Sequence, residues 1–165
     1  PELRRVVVVF ETRDPGVRRS FEFEFGQRAG IASVDFIPSY TLFPADQPIG
    51  PEAFGRIARE NRVDAFLLYT PGEGGVSGQI LGTPPEEGCV DLILRQGCNQ
   101  ALAGATLEMP WSEYTVVLIE PTDMAAFWRA SATSEGRDFA DSEDLRHSLA
   151  DQTIKRLLAD GVISR

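Results

Sequence analysis

Cys89 and Cys98 are the two cysteines of this 165-residue chain, and they bracket the short segment CVDLILRQGC. Their spacing lets the two Cα atoms meet at about 5.5 Å across a small loop or hairpin, the separation a disulfide requires. An isolated pair suits one structural disulfide in an oxidising compartment. The competing reading is two free thiols buried as small hydrophobes in a reducing one. A metal site is a poorer reading, because no His or further Cys lies nearby to complete a tetrahedron.

Other residue types capable of chemistry fall short of a motif. His147 is the single histidine, between Arg146 and Ser148 and flanking a leucine stripe, which makes it a boundary or exposed side chain. A hydrolytic triad would need a positioned nucleophile and an orienting carboxylate around it, and no G-x-S-x-G segment is present. The run GEGGVSG, Gly72–Gly78, follows a strand pattern as a phosphate cradle would. It leads into Gln79-Ile80-Leu81-Gly82-Thr83-Pro84-Pro85, which cannot start the helix such a cradle needs, so it reads as a loop. Asp138, Asp141, Glu143 and Asp144 form the densest acidic cluster but lack the spacing of a calcium loop, and helix capping accounts for them. Trp111, Tyr114, Tyr69 and Tyr40 fall at element edges, where the rim of the core is the first expectation and a partner surface the second. No catalytic, cofactor-binding or metal-binding residue is assigned, and no cofactor is implied.

The elements that would carry these residues follow from hydrophobic pattern. RRVVVVF, Arg4–Phe10, is β-branched and apolar at consecutive positions, which predicts a central strand covered on both faces. Glu11–Gly16 reads as a turn. In the stretch 18–30, Phe21, Phe23 and Phe25 alternate with glutamates as a strand would. Yet Phe21, Phe25 and Ala29 also recur every fourth residue, with Glu24 and Arg28 at a favourable i,i+4 spacing. The helix is preferred, because a strand over Ile31–Ile37 would then complete a βαβ unit. A proline-rich connection leads to a second helix from Pro51 to about Arg62, and Asp64–Thr70 is a third strand. Residues 71–110 read as an irregular Gly/Pro-rich insertion with one short strand at Val90–Leu94. Tyr114–Glu120 and Ala125–Thr133 make a hairpin around Pro121-Thr122-Asp123. The last helix starts at an Asp141 cap, carries Leu145, Leu149, Ile154, Leu157 and Leu158 as its apolar stripe, and stops at Gly161.

The expected fold is therefore one domain over residues 1–165. It is an α/β mixed-sheet sandwich, β-α-β-α-β then an antiparallel hairpin and a C-terminal helix, with the parallel strands in order 2-1-3. A formal charge of −9, from 25 acids against 16 bases, opposes nucleic-acid binding through bulk charge. The longest apolar run, Val6–Phe10, is far short of a membrane span. The chain opens with Pro1 rather than Met, so a natural leader is expected to have been processed or trimmed away.

Five segments carry a likeness: Val6–Phe10, Arg18–Phe25, Asp64–Tyr69, Ala125–Thr133 and Leu157–Ile163, with Trp128-Arg129-Ala130 and the final L-x-x-D-G-x-I the most telling pair. In their order the chain resembles a family of small bacterial cell-envelope lipoproteins of uncharacterised function. Related α/β domains are those of penicillin-binding-protein activator lipoproteins, the amino-terminal domain of TolB and the curli-secretion lipoproteins. The resemblance implies a periplasmic domain, tethered through a lipidated cysteine upstream of Pro1, that acts without catalysis by contact with another envelope protein. Oligomeric state is left open. The alternative is a small-ligand-binding or hydrolytic envelope domain with a pocket under the 71–110 insertion, and a third reading is a cytosolic domain with free thiols.

Overall fold

The computed structural model describes residues 3–43, 51–80, 106–135 and 142–165. Five strands, β1 (Arg5–Phe10), β2 (Asp35–Pro38), β3 (Ala65–Ile80), β4 (Thr106–Ile119) and β5 (Ala126–Glu135), form one sheet in the order β2-β1-β3-β4-β5. The helices are α1 (Pro15–Arg28), α2 (Pro51–Asn61) and α3 (Ser142–Ala159). β1 pairs in parallel with both β2 and β3, while β3–β4 and β4–β5 are antiparallel. The fold is the mixed α/β arrangement expected, with order 2-1-3 extended by the antiparallel hairpin.

Strand β1 is apolar at consecutive positions because both of its faces are covered. Val6, Val8 and Phe10 join Phe21 and Phe25 of α1 and Leu149, Ile154 and Leu157 of α3 in one core. Val7 and Val9 join Phe54 and Ile57 of α2, with Phe43 and Phe66, in a second core on the opposite face. Phe25 and Phe54 each meet a ring edge-on, Phe36 at 5.2 Å and Phe66 at 4.6 Å between centroids. Such aromatic pairs add to the area they bury.

Residues 19–29 resolve as helix, and α1 begins earlier than the pattern suggested. Asp14 is its N-cap, the carboxylate accepting from the amides of Gly16 (2.8 Å) and Val17 (3.2 Å). Pro15 occupies the first helical turn, where its missing N–H costs nothing. The Pro-Gly pair expected to punctuate a turn thus starts the helix instead. β2 is shorter than expected, since Ala29–Ile31 continue as a 3-10 turn and regular pairing begins only at Asp35.

The expectation of an irregular segment from residue 71 also needs correction. β3 continues through Ile80 and β4 begins at Thr106, paired from Gly74↔Ser112 to Ile80↔Thr106, with a register shift between Pro71 and Gly74. Glycines weaken a strand by entropy, but a ladder is a backbone structure, and an opposing strand with continuous register holds it. β1 ends at Phe10, opposite Tyr69. The β3–β4 ribbon therefore runs on past the parallel strands, and the 16 residues of β3 would span about 50 Å if straight. Val90–Leu94 lies outside the described residues.

Helix α3 ends as the sequence led us to expect. Gly161, at φ +68°, allows Gly161 N–H to reach Leu158 O and Val162 N–H to reach Leu157 O. This is the paired closure of a helix C-terminus by a left-handed residue. Beyond it, Ser33 N–H donates to Ser164 O at 2.9 Å, while Asp35 N–H donates to Arg4 O at 2.8 Å. The segment after α3 and the lead into β1 are thus both fastened to the approach to β2.

Candidate interaction surface

Three polar or charged side chains among the described residues are buried: Glu22, Ser39 and Thr153. Each is bonded within the fold. Glu22 Oε1 accepts from Phe10 N–H at 2.9 Å, Ser39 Oγ at 2.6 Å and Arg18 Nε at 3.2 Å, and Oε2 accepts from Tyr40 N–H at 3.0 Å. Arg18 also donates to Ser39 Oγ. A buried carboxylate with this many donors ties the ends of β1 and β2 to α1 and is held as structure. Thr153 donates to Leu149 O at 2.9 Å. The Tyr69 hydroxyl faces Thr153, and burial pushes its pKa well above the ordinary phenol range.

His147 is placed on the boundary between two helices, as its position beside the leucine stripe suggested. Its Nε2 lies 2.6 Å from Glu24 Oε2. Arg28 joins the same carboxylate at 3.0 Å and reaches Asp151 at 2.8 Å. The Arg28 guanidinium is held above its ordinary pKa by Asp151 first and Glu24 second. The cluster clasps α1 to α3. At the end of α3, Asp160 accepts from Trp128 Nε1 at 2.9 Å and from Arg156 Nε at 2.8 Å, and these bonds hold its carboxyl below the usual range. Among the described residues no three His, Cys, Asp or Glu side chains are grouped to hold a metal ion.

The aromatics singled out at element edges separate. Tyr69 is fully buried in the centre of the α1/α3 core, against Phe21 at 4.9 Å. Tyr114 is half-buried beside Phe10, and Tyr40 is half-buried beneath the Arg19 guanidinium, 5.5 Å from its ring centre. The Trp111 side chain lies outside the described residues, as do Cys89, Cys98, Asp138 and Asp141. On β5, Trp128, Ala130 and Ala132 face α3 while Phe127, Arg129, Ser131 and Thr133 are exposed, the division expected of that strand.

Among the described residues, two exposed aromatics and two grooves stand out at the surface. Phe23 of α1 is 54% exposed and Phe127 of β5 51%. The alternation Phe21-Glu22-Phe23-Glu24-Phe25 could not reveal the first, because helical geometry buries Glu22 and exposes Phe23, the reverse of a strand reading. One groove, of about 640 Å³, lies between α2 and the β4–β5 turn. Its floor is Ala58, Val63, Pro121 and Met124, and Glu52, Glu120 and Asp123 stand around it. A second, of about 390 Å³, lies between α3 and β5 and is lined by Trp128, Ala130, Ala132, Thr153 and Arg156. The first opens on the α2 face of the sheet and the second on the α3 face.

No protein-family model matches this chain, and neither does any curated protein. Solved structures do. The PelC dodecamer from Paraburkholderia phytofirmans is similar over 92% of this chain and 84% of its own, at 17% identity and a TM-score of 0.50. A variant of the same PelC reaches a TM-score of 0.51 at 17% identity, over 94% of this chain and 89% of that one. Lipoprotein GNA1162 from Neisseria meningitidis covers 95% of this chain and 99% of its own, at 14% identity and a TM-score of 0.50. At these identities the likeness is one of fold, and the chain has the α/β fold of PelC and of a bacterial lipoprotein.

Proposed function

We propose that this chain is a non-enzymatic accessory or assembly domain of the bacterial cell envelope, acting in the periplasm by contact with another envelope protein. In its full-length form it is held at a membrane by a lipidated cysteine upstream of Pro1. The observation that carries this reading is the division of labour on the molecule. The buried side chains of Glu22, Ser39 and Thr153 are bonded within the fold, while two large apolar side chains, Phe23 and Phe127, are left exposed. The fold shared with lipoprotein GNA1162 supports the envelope setting. Trp128-Arg129-Ala130 on β5 and the helix end at Gly161 support the narrower kinship with penicillin-binding-protein activator lipoproteins, the TolB amino-terminal domain and curli-secretion lipoproteins. A Cys89–Cys98 disulfide belongs to the same reading, with the oxidising compartment it needs.

The test uses the full-length protein in its own cells, with a photo-crosslinking residue in place of Phe127. The expected result is a covalent adduct with another envelope protein, recovered in the membrane fraction. Absence of any adduct, together with turnover of a small substrate by the purified chain, overturns the proposal. Intact mass without reductant is expected to fall two hydrogens below the reduced mass.

A further inference from the structure

The two flanks of the sheet carry opposite chemistry. On α1, Arg19, Phe23 and Gln27 recur at i,i+4 and are all exposed, a single row containing no carboxylate. Arg19 is held over the Tyr40 ring at 5.5 Å, so its guanidinium is positioned rather than free to swing. Neighbouring Arg18 is committed to Glu22 and Ser39, which leaves Arg19 as the cation of this row. Across the molecule, the groove between α2 and the β4–β5 turn has an apolar floor and three exposed carboxylates, Glu52, Glu120 and Asp123, against one guanidinium, Arg59. The fourth acid at that groove, Asp64, is occupied by the Arg4 and Arg5 amides at 2.8 Å each, and one oxygen of Asp123 accepts from Ala125 N–H at 2.8 Å. Phe127 follows the Met124 of this groove by three residues and is exposed on the same flank.

These surfaces cannot meet within one molecule. α1 packs over β2, with Phe25 against Phe36, and the groove opens beside the β4–β5 turn at the other side of a five-stranded sheet. Strands lie about 4.8 Å apart, so the flanks are separated by roughly 20 Å. Two different, mutually complementary patches on opposite sides of one chain are the requirement for a head-to-tail contact.

We infer that this chain associates with a second copy of itself head to tail, the Arg19–Phe23 row of α1 docking into the acidic, apolar-floored groove between α2 and the β4–β5 turn. Phe23 lies on Ala58, Val63, Pro121 and Met124, and Arg19 meets Glu120 and Asp123. This goes beyond the accessory-domain reading and stands or falls separately from it. An envelope partner can be captured whether or not the chain self-associates.

The test is sedimentation velocity on the purified chain at low ionic strength, up to roughly 1 mM. The wild type is expected to show concentration-dependent association. Arg19→Glu and Phe23→Ser on the row, and the pair Glu120→Arg with Asp123→Arg on the groove, are each expected to weaken it about ten-fold or more. All are surface changes, and circular dichroism checks that each variant is folded. The decisive arm mixes Phe23→Ser, whose groove is intact, with the groove variant, whose row is intact. A head-to-tail contact then yields a dimer that stops at two, because its outer surfaces are the mutated ones. A monomeric wild type, variants that associate as the wild type does, or a mixture that stays monomeric each overturns the inference.

Discussion

The Glu22 carboxylate accepts the backbone N–H of Phe10 at 2.9 Å, joining the middle of α1 to the last residue of β1. It closes the corner where the chain leaves the sheet, and with Ser39 and Tyr40 it closes the corner where the chain leaves β2 as well. Removing it strands several buried donors. Glu22→Ala is expected to destabilise the fold by about 3 kcal/mol or more, read as a lower urea midpoint at unchanged slope. Arg18→Ala, which leaves Glu22 its other donors, is expected to cost less.

The Trp128–Asp160 bond sets a pH dependence. Asp160 is held below the usual carboxylate range by Trp128 first and Arg156 second. A depressed carboxyl adds stability above its unfolded pKa, and that stability is lost as pH falls through its folded pKa. Trp128→Phe keeps most of the ring and removes the donor. The difference in melting temperature between wild type and Trp128→Phe measured at neutral pH should therefore shrink as the solution is acidified. A difference in the bond's contribution that stayed constant down to acid unfolding would contradict this.

Burial raises the Tyr69 phenol. A neutral form favoured by the fold means that stability is full below the ordinary phenol pKa and falls as pH climbs above it, where the unfolded chain ionises and the native one does not. In an alkaline titration followed by phenolate absorbance, one of the three tyrosines should ionise only with unfolding. Tyr69→Phe should remove that step from the titration.

Two helix ends use the same backbone solution with different residues. Gly161 after α3 and Arg62 after α2 both adopt positive φ, +68° and +54°, and Val63 N–H returns to Ala58 O as Val162 N–H returns to Leu157 O. Gly161→Ala meets no atom within 4 Å, so its cost is backbone strain, about 1 kcal/mol. Arg62→Gly relieves such strain at the price of unfolded-state entropy, and a net gain of about 0.5 kcal/mol is expected. Opposite shifts in thermal midpoint test the pair.

The architecture was largely legible because it is written in pattern. The consecutive valines of β1 could be satisfied only by cover on both faces, and the Leu149–Ile154–Leu157 stripe with Gly161 after it could end only one way. The extent of β3 was not legible, since Gly72, Gly74, Gly75 and Gly78 carry no pattern and their ladder depends on a partner strand some thirty positions later. The surface was the least legible part. Tyr69, expected at a rim, is at the centre of the core, and Phe23, spaced like its buried neighbours, is outside. Which of three alternating phenylalanines faces water depends on helix phase, set by the Asp14 cap and by Glu22 turning inward, and both are tertiary facts. The groove beside α2 joins segments some sixty positions apart, and no local signal anticipates it.

Ser33 and Asp35, which fasten the tail after α3 and the lead into β1, are two residues apart, so their anchor points lie within about 7 Å along the chain. The lead into β1 and the tail after α3 are thus held at neighbouring points of the fold. A short bridge joining the chain's ends, with a new opening cut at the exposed Thr122–Asp123 bend, should give a circular permutant with the same sheet order. For the same reason a dye, surface or carrier attached at either end occupies one pole of the molecule and leaves the β3–β4 ribbon, which extends the other way, unencumbered.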